Sequence, residues 1–178
     1  GKELTKARLG ILGMGRIGRA VAERARSFGM KIHYHNRSRL NPDLEKDATY
    51  HKTFESLFSV SDFLSINCPV TQETKHIINK KTLKHFPDGA VIANSARGDM
   101  IDDDAMAGAL KSGKIFGLGL DVYNGEPDIH NEYLTLPNVF VLPHLGSATK
   151  KTRTAMADLA ISNIEEYFST GKCKNTVN

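Results

Sequence analysis

Cysteine is scarce in this chain. Only Cys68 and Cys173 occur among 178 residues. Two are too few for a disulfide framework and lack the partner spacing of a zinc site, which fits a reducing, cytoplasmic compartment and no bound metal. Long apolar runs are missing as well. Residues 90–93 and 115–120 fall far short of the roughly 20 that span a bilayer, and residues 11–14 are too few and too glycine-broken for a signal peptide. Membrane insertion and secretion are therefore not expected. Nor are aromatic residues interleaved with the basic clusters at Lys80, Lys81, Lys84 and Lys150, Lys151, Arg153, as base stacking would require. The net charge of +4 thus reads as solvated surface rather than a nucleic-acid face. With 40% hydrophobic and 25% charged residues and no internal repeat, the composition is that of one folded domain over residues 1–178.

Hydrophobic periodicity then orders the chain. A short apolar run over 9–12 ends in glycines, and Ile17, Ala20, Val21, Ala25 and Phe28 follow at helical spacing up to Gly29. Further strands are predicted over 31–35, 63–67, 90–94, 115–122 and 139–142, with helices over 54–60, 80–85, 105–111 and 150–169. Asp102, Asp103 and Asp104 crowd the start of the third of these helices, where negative charge suits the helix dipole. The last helix carries Met156, Ala160, Ile164 and Tyr167 or Phe168 on one stripe. Strands alternating with helices predict an α/β fold, a doubly wound parallel sheet in three layers of the Rossmann type.

Gly13-Met14-Gly15-Arg16-Ile17-Gly18 fits G-x-G-x-x-G, placed between a predicted strand and a predicted helix. The first glycine permits the tight turn, the second lets a pyrophosphate approach the backbone, and the third lets helix pack on strand. At the end of the second strand an NAD site usually places Asp or Glu. Here Asn36, Arg37, Ser38 and Arg39 stand there instead, two guanidiniums and a hydroxyl suited to a 2′-phosphate, so NADP is favoured over NAD. The same residues argue against a Rossmann methyltransferase, which expects an acid at that point.

Arg97, Glu126 and His144 each follow a predicted strand of the second half, the edge at which such sheets bind ligands. Reduction of a 2-oxo acid asks for a cation to hold the carboxylate, an acid near neutrality to protonate the carbonyl oxygen, and a carboxylate to keep that acid charged. These three residues supply those types. Each also has a plainer reading: a solvated arginine, a capping histidine, a Gly-Glu-Pro turn.

At these positions the chain resembles the D-isomer-specific 2-hydroxyacid dehydrogenase family. The resemblance runs from Leu9 to Val177 through the stretches 9–18, 94–98, 119–123, 125–127 and 142–147, in the family's order and spacing, and is closest to its glyoxylate and hydroxypyruvate reductase branch. It implies that Arg97 binds substrate, that Glu126 hydrogen-bonds His144, that His144 donates the proton, and that Asp121 lies near the nicotinamide carboxamide. It further implies cofactor contacts from Arg16, Ile17, Ser95, Ala96 and Gly146, and from a loop beside the adenosine that carries Cys68, Pro69 and Thr74. A bare reading makes Cys68 a small buried hydrophobe. Family members carry about a hundred residues ahead of the first Rossmann strand, forming most of a substrate domain, and here only residues 1–8 stand there. The expectation is an isolated cofactor-binding domain, inactive by itself, whose partners are a small 2-oxo or 2-hydroxy acid and the missing domain. Family dimers form largely through the cofactor domain, so a homodimer is also implied. The alternative is a redox-sensing binding module of the corepressor type, which would want peptide-binding or disordered segments beyond this length.

Overall fold

The structure, a computed structural model, describes residues 1–176; Val177, the end of the resemblance, lies outside them. The described residues form two compact units that divide after Pro143. In the first, seven parallel strands form one sheet: β1 (Arg8–Leu12), β2 (Lys31–His35), β3 (Thr49–Tyr50), β4 (Phe63–Ile66), β5 (Ala90–Asn94), β6 (Ile115–Leu120) and β7 (Val139–Val141), in the order β3-β2-β1-β4-β5-β6-β7. Chain direction across the sheet reverses between β1 and β4. That crevice is where doubly wound sheets take their ligands.

Four helices accompany these strands: α1 (Arg16–Ser27), α2 (Pro42–Glu45), α3 (Phe54–Phe58) and α4 (Asp103–Lys111). Helix α1 forms where the spacing predicts it, buries Gly18, Ala22 and Ala25, and ends at Gly29 in the left-handed region. Asp102 caps α4 by accepting from the Ala105 amide at 3.1 Å. The predicted helix over 80–85 is only a 3-10 turn at Thr82–His85, and further 3-10 turns occupy Gly98–Met100 and Asn131–Leu134. Neither α2 nor β3 was expected, because each is too short to show a period. Two apolar cores lie against the sheet. Leu9, Ile11, Met14, Ala22, Ile32 and Tyr34 pack between α1 and the β1/β2 pair. A larger cluster over β4 to β6 includes Phe58 and Phe86, stacked with centroids 4.6 Å apart.

The second unit begins at His144 and holds α5 (Lys150–Thr170), capped by the Thr149 hydroxyl and closed by Gly171. None of its described residues is buried, the expected stripe of Met156, Ala160, Ile164 and Tyr167 or Phe168 included. No described helix is long and apolar enough to cross a membrane, and no described group of three His, Cys, Asp or Glu could hold a metal ion.

At the sheet edge His33 Nδ1 lies 3.0 Å from His51 Nε2, and His35 Nδ1 donates to the His51 carbonyl at 2.9 Å. Burial, then repulsion from His51 and from the nearby Arg8 and Lys31, push the His33 pKa down against the opposing pull of Asp62. Burial followed by His35 does the same to His51. A histidine lowered in the fold stays neutral where the unfolded chain would already bind a proton, so its stabilisation is complete above about pH 6.5 and falls as pH drops from there toward the lowered values. Thermal unfolding followed by circular dichroism is expected to give a lower midpoint at about pH 5.5 than at about pH 7.5. His33→Gln should shrink that difference; an unchanged difference would remove His33 from the pH response.

Candidate functional site

The turn after β1 decides the shape of the crevice. Gly13 sits at φ +95°, and a Cβ added there would lie 2.6 Å from the Cys68 amide nitrogen, so the turn touches the loop after β4 with only a hydrogen between them. A Cβ on Gly18 would collide with the Gly13 carbonyl. Gly15 differs: a Cβ there meets nothing within 4 Å, which leaves open space in front of the first turn of α1. That turn has neither a side-chain cap nor an acidic residue, and its free amides face an anion's natural position.

Two grooves meet over this turn and share Asn67, Cys68 and Pro69 in their walls. The first, of about 840 Å³, extends from Gly13 and Gly15 to Asn36, Arg37 and Ser38, and takes in Thr74. The second, of about 610 Å³, runs past Ile17 to Ser95, Ala96 and Arg97. Both volumes lie in the range of small-molecule sites. An uncapped helix start, an open Gly15 and a groove leading both ways suit a pyrophosphate with a nucleoside on each side. Arg16, Gly18, Arg39 and Asp121 are not among the described wall residues. Arg39, expected at the 2′-phosphate, points instead at Glu45, its Nη2 2.9 Å from Oε2 and its Nε 3.0 Å from the same oxygen. Arg19 and Lys52 add cations to the wall that the sequence did not single out. Arg19 was legible in principle, since a side chain in the first turns of a helix leans back toward its start. Lys52 follows the unforeseen β3.

Backbone tethers set this geometry. Asn36 Oδ1 accepts from the Met14 amide at 2.7 Å, tying the end of β2 to the glycine turn. Asn94, almost fully buried at the end of β5, accepts from the Ala96 amide at 3.0 Å and donates to the Arg97 carbonyl at 2.8 Å. Sequence reasoning used Asn94 only as part of a motif, yet it shapes the loop that presents Arg97. Burial pushes the Cys68 thiol up to about 11, so it stays protonated and serves as packing. Thr74 spends its hydroxyl on the Pro69 carbonyl at 2.8 Å, which stiffens the wall.

Further along, the loop after β6 carries Glu126, whose Oε1 accepts from the Tyr123 amide at 3.1 Å. Asp103 of α4 pins that loop twice, accepting from Asn124 Nδ2 at 2.8 Å and from the Tyr133 hydroxyl at 2.9 Å. Burial, then Asp103, raises the Tyr133 pKa, so the phenol remains a donor. In the second unit His144 itself has φ +55°, a conformation uncommon outside glycine. Backbone strain of this kind clusters at functional positions.

A parallel sheet with its glycine turn at the β1/β4 reversal defines a dinucleotide-binding protein. Residues 1–146 match the family described as D-isomer specific 2-hydroxyacid dehydrogenase, NAD binding domain, and the chain belongs to that family. It is 49% identical over 164 residues to 4-methyl-2-oxopentanoate reductase A of Aspergillus oryzae, covering 92% of this chain and 50% of that protein. The crystal structure of a glyoxylate reductase from Paecilomyes thermophila superimposes with a TM-score of 0.94 at 44% identity, covering 99% of this chain and 54% of that one. An NADPH-dependent glyoxylate/hydroxypyruvate reductase from Sinorhizobium meliloti, solved with NADP and malonate, gives 0.91 at 37% identity, covering 97% and 53%. The chain spans about half the length of the curated relatives it matches.

Two substitutions test the site's construction. Gly13→Ala is expected to cost about 2 kcal/mol or more in urea unfolding, from positive-φ strain and overlap with the Cys68 backbone, and to abolish dinucleotide binding. Asn94→Ala removes the partner of the half-buried Ala96 amide and one partner of the Arg97 carbonyl, and should cost about 1–2 kcal/mol. Wild-type stability in either variant would contradict the packing described.

Proposed function

We propose that these residues are the cofactor-binding half of an NAD(P)-dependent 2-hydroxyacid dehydrogenase that reduces a small 2-oxo acid such as glyoxylate or hydroxypyruvate. The observation that carries this reading is the pair of grooves that share Asn67, Cys68 and Pro69, one running from the open Gly15 to the 36–38 loop and the other to Arg97. Gly13, Gly15 and the first amides of α1 would hold the pyrophosphate, and Arg37 and Ser38 the adenosine ribose. When bound, the dinucleotide supplies a hydride for the carbonyl carbon. Arg97, exposed at the far end, holds the substrate carboxylate through its guanidinium. His144 would supply the proton for the carbonyl oxygen, and Glu126 would be the carboxylate of that acid-base set, the roles the family resemblance implies. Ser95 and Ala96, in the wall of the second groove, would serve the nicotinamide side, to which the family resemblance adds Asp121 and Gly146. The other half of such an enzyme would close the cleft, exclude water and grip the substrate from the opposite side.

NADP(H) is the preferred cofactor in this reading, supported by Arg37 and Ser38 in the wall where an acid would mark NAD, and by the relative solved with NADP. Calorimetric titration should give NADPH an advantage of about ten- to a hundredfold over NADH, the worth of a charge-assisted contact of about 1.5–3 kcal/mol. Arg37→Asp should narrow or reverse it; equal or tighter NADH binding by the parent chain refutes the assignment. In the intact enzyme, His144→Gln is expected to lower kcat on glyoxylate by about two to four orders of magnitude with cofactor affinity unchanged. Glu126→Gln should likewise lower kcat on glyoxylate with cofactor affinity unchanged. An unaltered kcat would take Glu126 out of the mechanism.

A further inference from the structure

Residues 37–39 of the loop after β2 are exposed, yet four contacts define its path. Asn36 accepts from the Met14 amide, and its carbonyl accepts from the Tyr50 hydroxyl at 3.3 Å. The Leu40 amide donates to the Tyr34 hydroxyl at 3.0 Å, and the Arg39 guanidinium lies along the Glu45 carboxylate, with Nε also 3.1 Å from Oε1. Glu45 is only 4% exposed and Tyr34 not at all. The Tyr34 hydroxyl has a single proton, and since Leu40 donates to its oxygen, that proton goes to Glu45 Oε1 at 3.0 Å. Helix α2, which carries Glu45, is itself fastened to α1, because Arg26 Nη2 donates to the Glu45 carbonyl at 3.4 Å. A buried carboxylate must be matched by charge and donors, and Arg39 with Tyr34 supplies both. The Arg39 side chain is 65% exposed and could swing freely without this anchor.

The two arginines that look equivalent in the sequence are thereby split. Arg37 lies in the groove wall and Arg39 is committed to the scaffold behind it. We propose that Glu45 is a positioning residue for cofactor selectivity: by holding Arg39 and orienting the Tyr34 hydroxyl, it fixes residues 37–40 so that Arg37 and Ser38 present a preformed site to a ribose 2′-phosphate. This rests on the reading that this end of the groove takes the adenosine ribose. Glu45→Gln removes the charge that holds Arg39 and can place an NH₂ donor against the Tyr34 hydroxyl, so the loop loses its fixed path while the glycine turn keeps its own.

Adenosine 2′,5′-bisphosphate and adenosine 5′-monophosphate differ only in the 2′-phosphate, and the ratio of their affinities, measured by calorimetry on the 178-residue chain, isolates the selectivity. The wild-type ratio is expected at about tenfold or more. Glu45→Gln should lower it at least about threefold with the monophosphate affinity unchanged, and Glu45→Asp, which keeps the charge, should recover part of the loss. General loosening of the fold would weaken both nucleotides alike and leave the ratio standing. A ratio that rises in Glu45→Gln means that freed Arg39 binds the phosphate directly, which overturns the proposal, as does an unchanged ratio. Should Glu45→Gln not fold, Tyr34→Phe carries the same test without altering any charge near the phosphate, and an unchanged ratio there is equally fatal. A wild-type ratio near one refutes the NADP(H) reading and this proposal together, whereas a high wild-type ratio that survives both substitutions refutes the proposal alone.

Discussion

The contact between Gly13 and the Cys68 backbone is the constraint on which the rest of the first unit turns. β1 and β4 are neighbours, and the floor of the groove is set where the chain leaving β1 nearly touches the chain leaving β4. Any side chain at Gly13 would push the β4 loop outward and open the floor of the site. The half-buried thiol fills the remaining space, its ionisation suppressed by the same close packing. Helix α1 then starts with its amides unspent, and the open face at Gly15 gives an anion room to reach them.

Around this floor the walls are made by asparagine side chains at strand ends. Asn36 and Asn94 close the chain where β2 and β5 stop, each through short hydrogen bonds to backbone groups of an adjoining turn. Carboxamides suit the task because one group both accepts and donates without carrying a charge that burial would penalise. The charged residues are thereby left for ligand and for scaffold, as the division between Arg37 and Arg39 illustrates.

Much of this architecture was legible in the sequence. β2 occupies residues 31–35 as its apolar run predicts, and the Gly29 and Gly113 stops fall where helices end. The glycine turn could be placed because three glycines at fixed spacing follow an apolar run, a pattern with a steric meaning at each position. The family resemblance is upheld by the match over residues 1–146. What could not be read was the partner of each charge. Nothing in Arg37-Ser38-Arg39 tells which guanidinium faces the groove, because the deciding residue, Glu45, sits on a helix of four residues with no periodic signal. Lys52 escaped notice for a similar reason, lying beyond a two-residue strand. The predicted helix over 80–85 shrank to a 3-10 turn, its first turn displaced by Thr82, whose hydroxyl bonds the Ile77 carbonyl at 2.6 Å.

Asp103 adds a different kind of constraint. Asn124 and Tyr133 both end on its carboxylate, so the intervening segment of about ten residues, with Glu126 inside it, is a ring closed without a covalent bond. A ring of this type has one clasp, and its two halves do not open independently: while the clasp holds, the segment wanders only as far as its own circumference permits. The reach of Glu126 is thus limited by chain topology rather than by contacts of its own side chain alone. A change in α4 that weakens the clasp would widen the volume the carboxylate explores while leaving every residue of the loop in place.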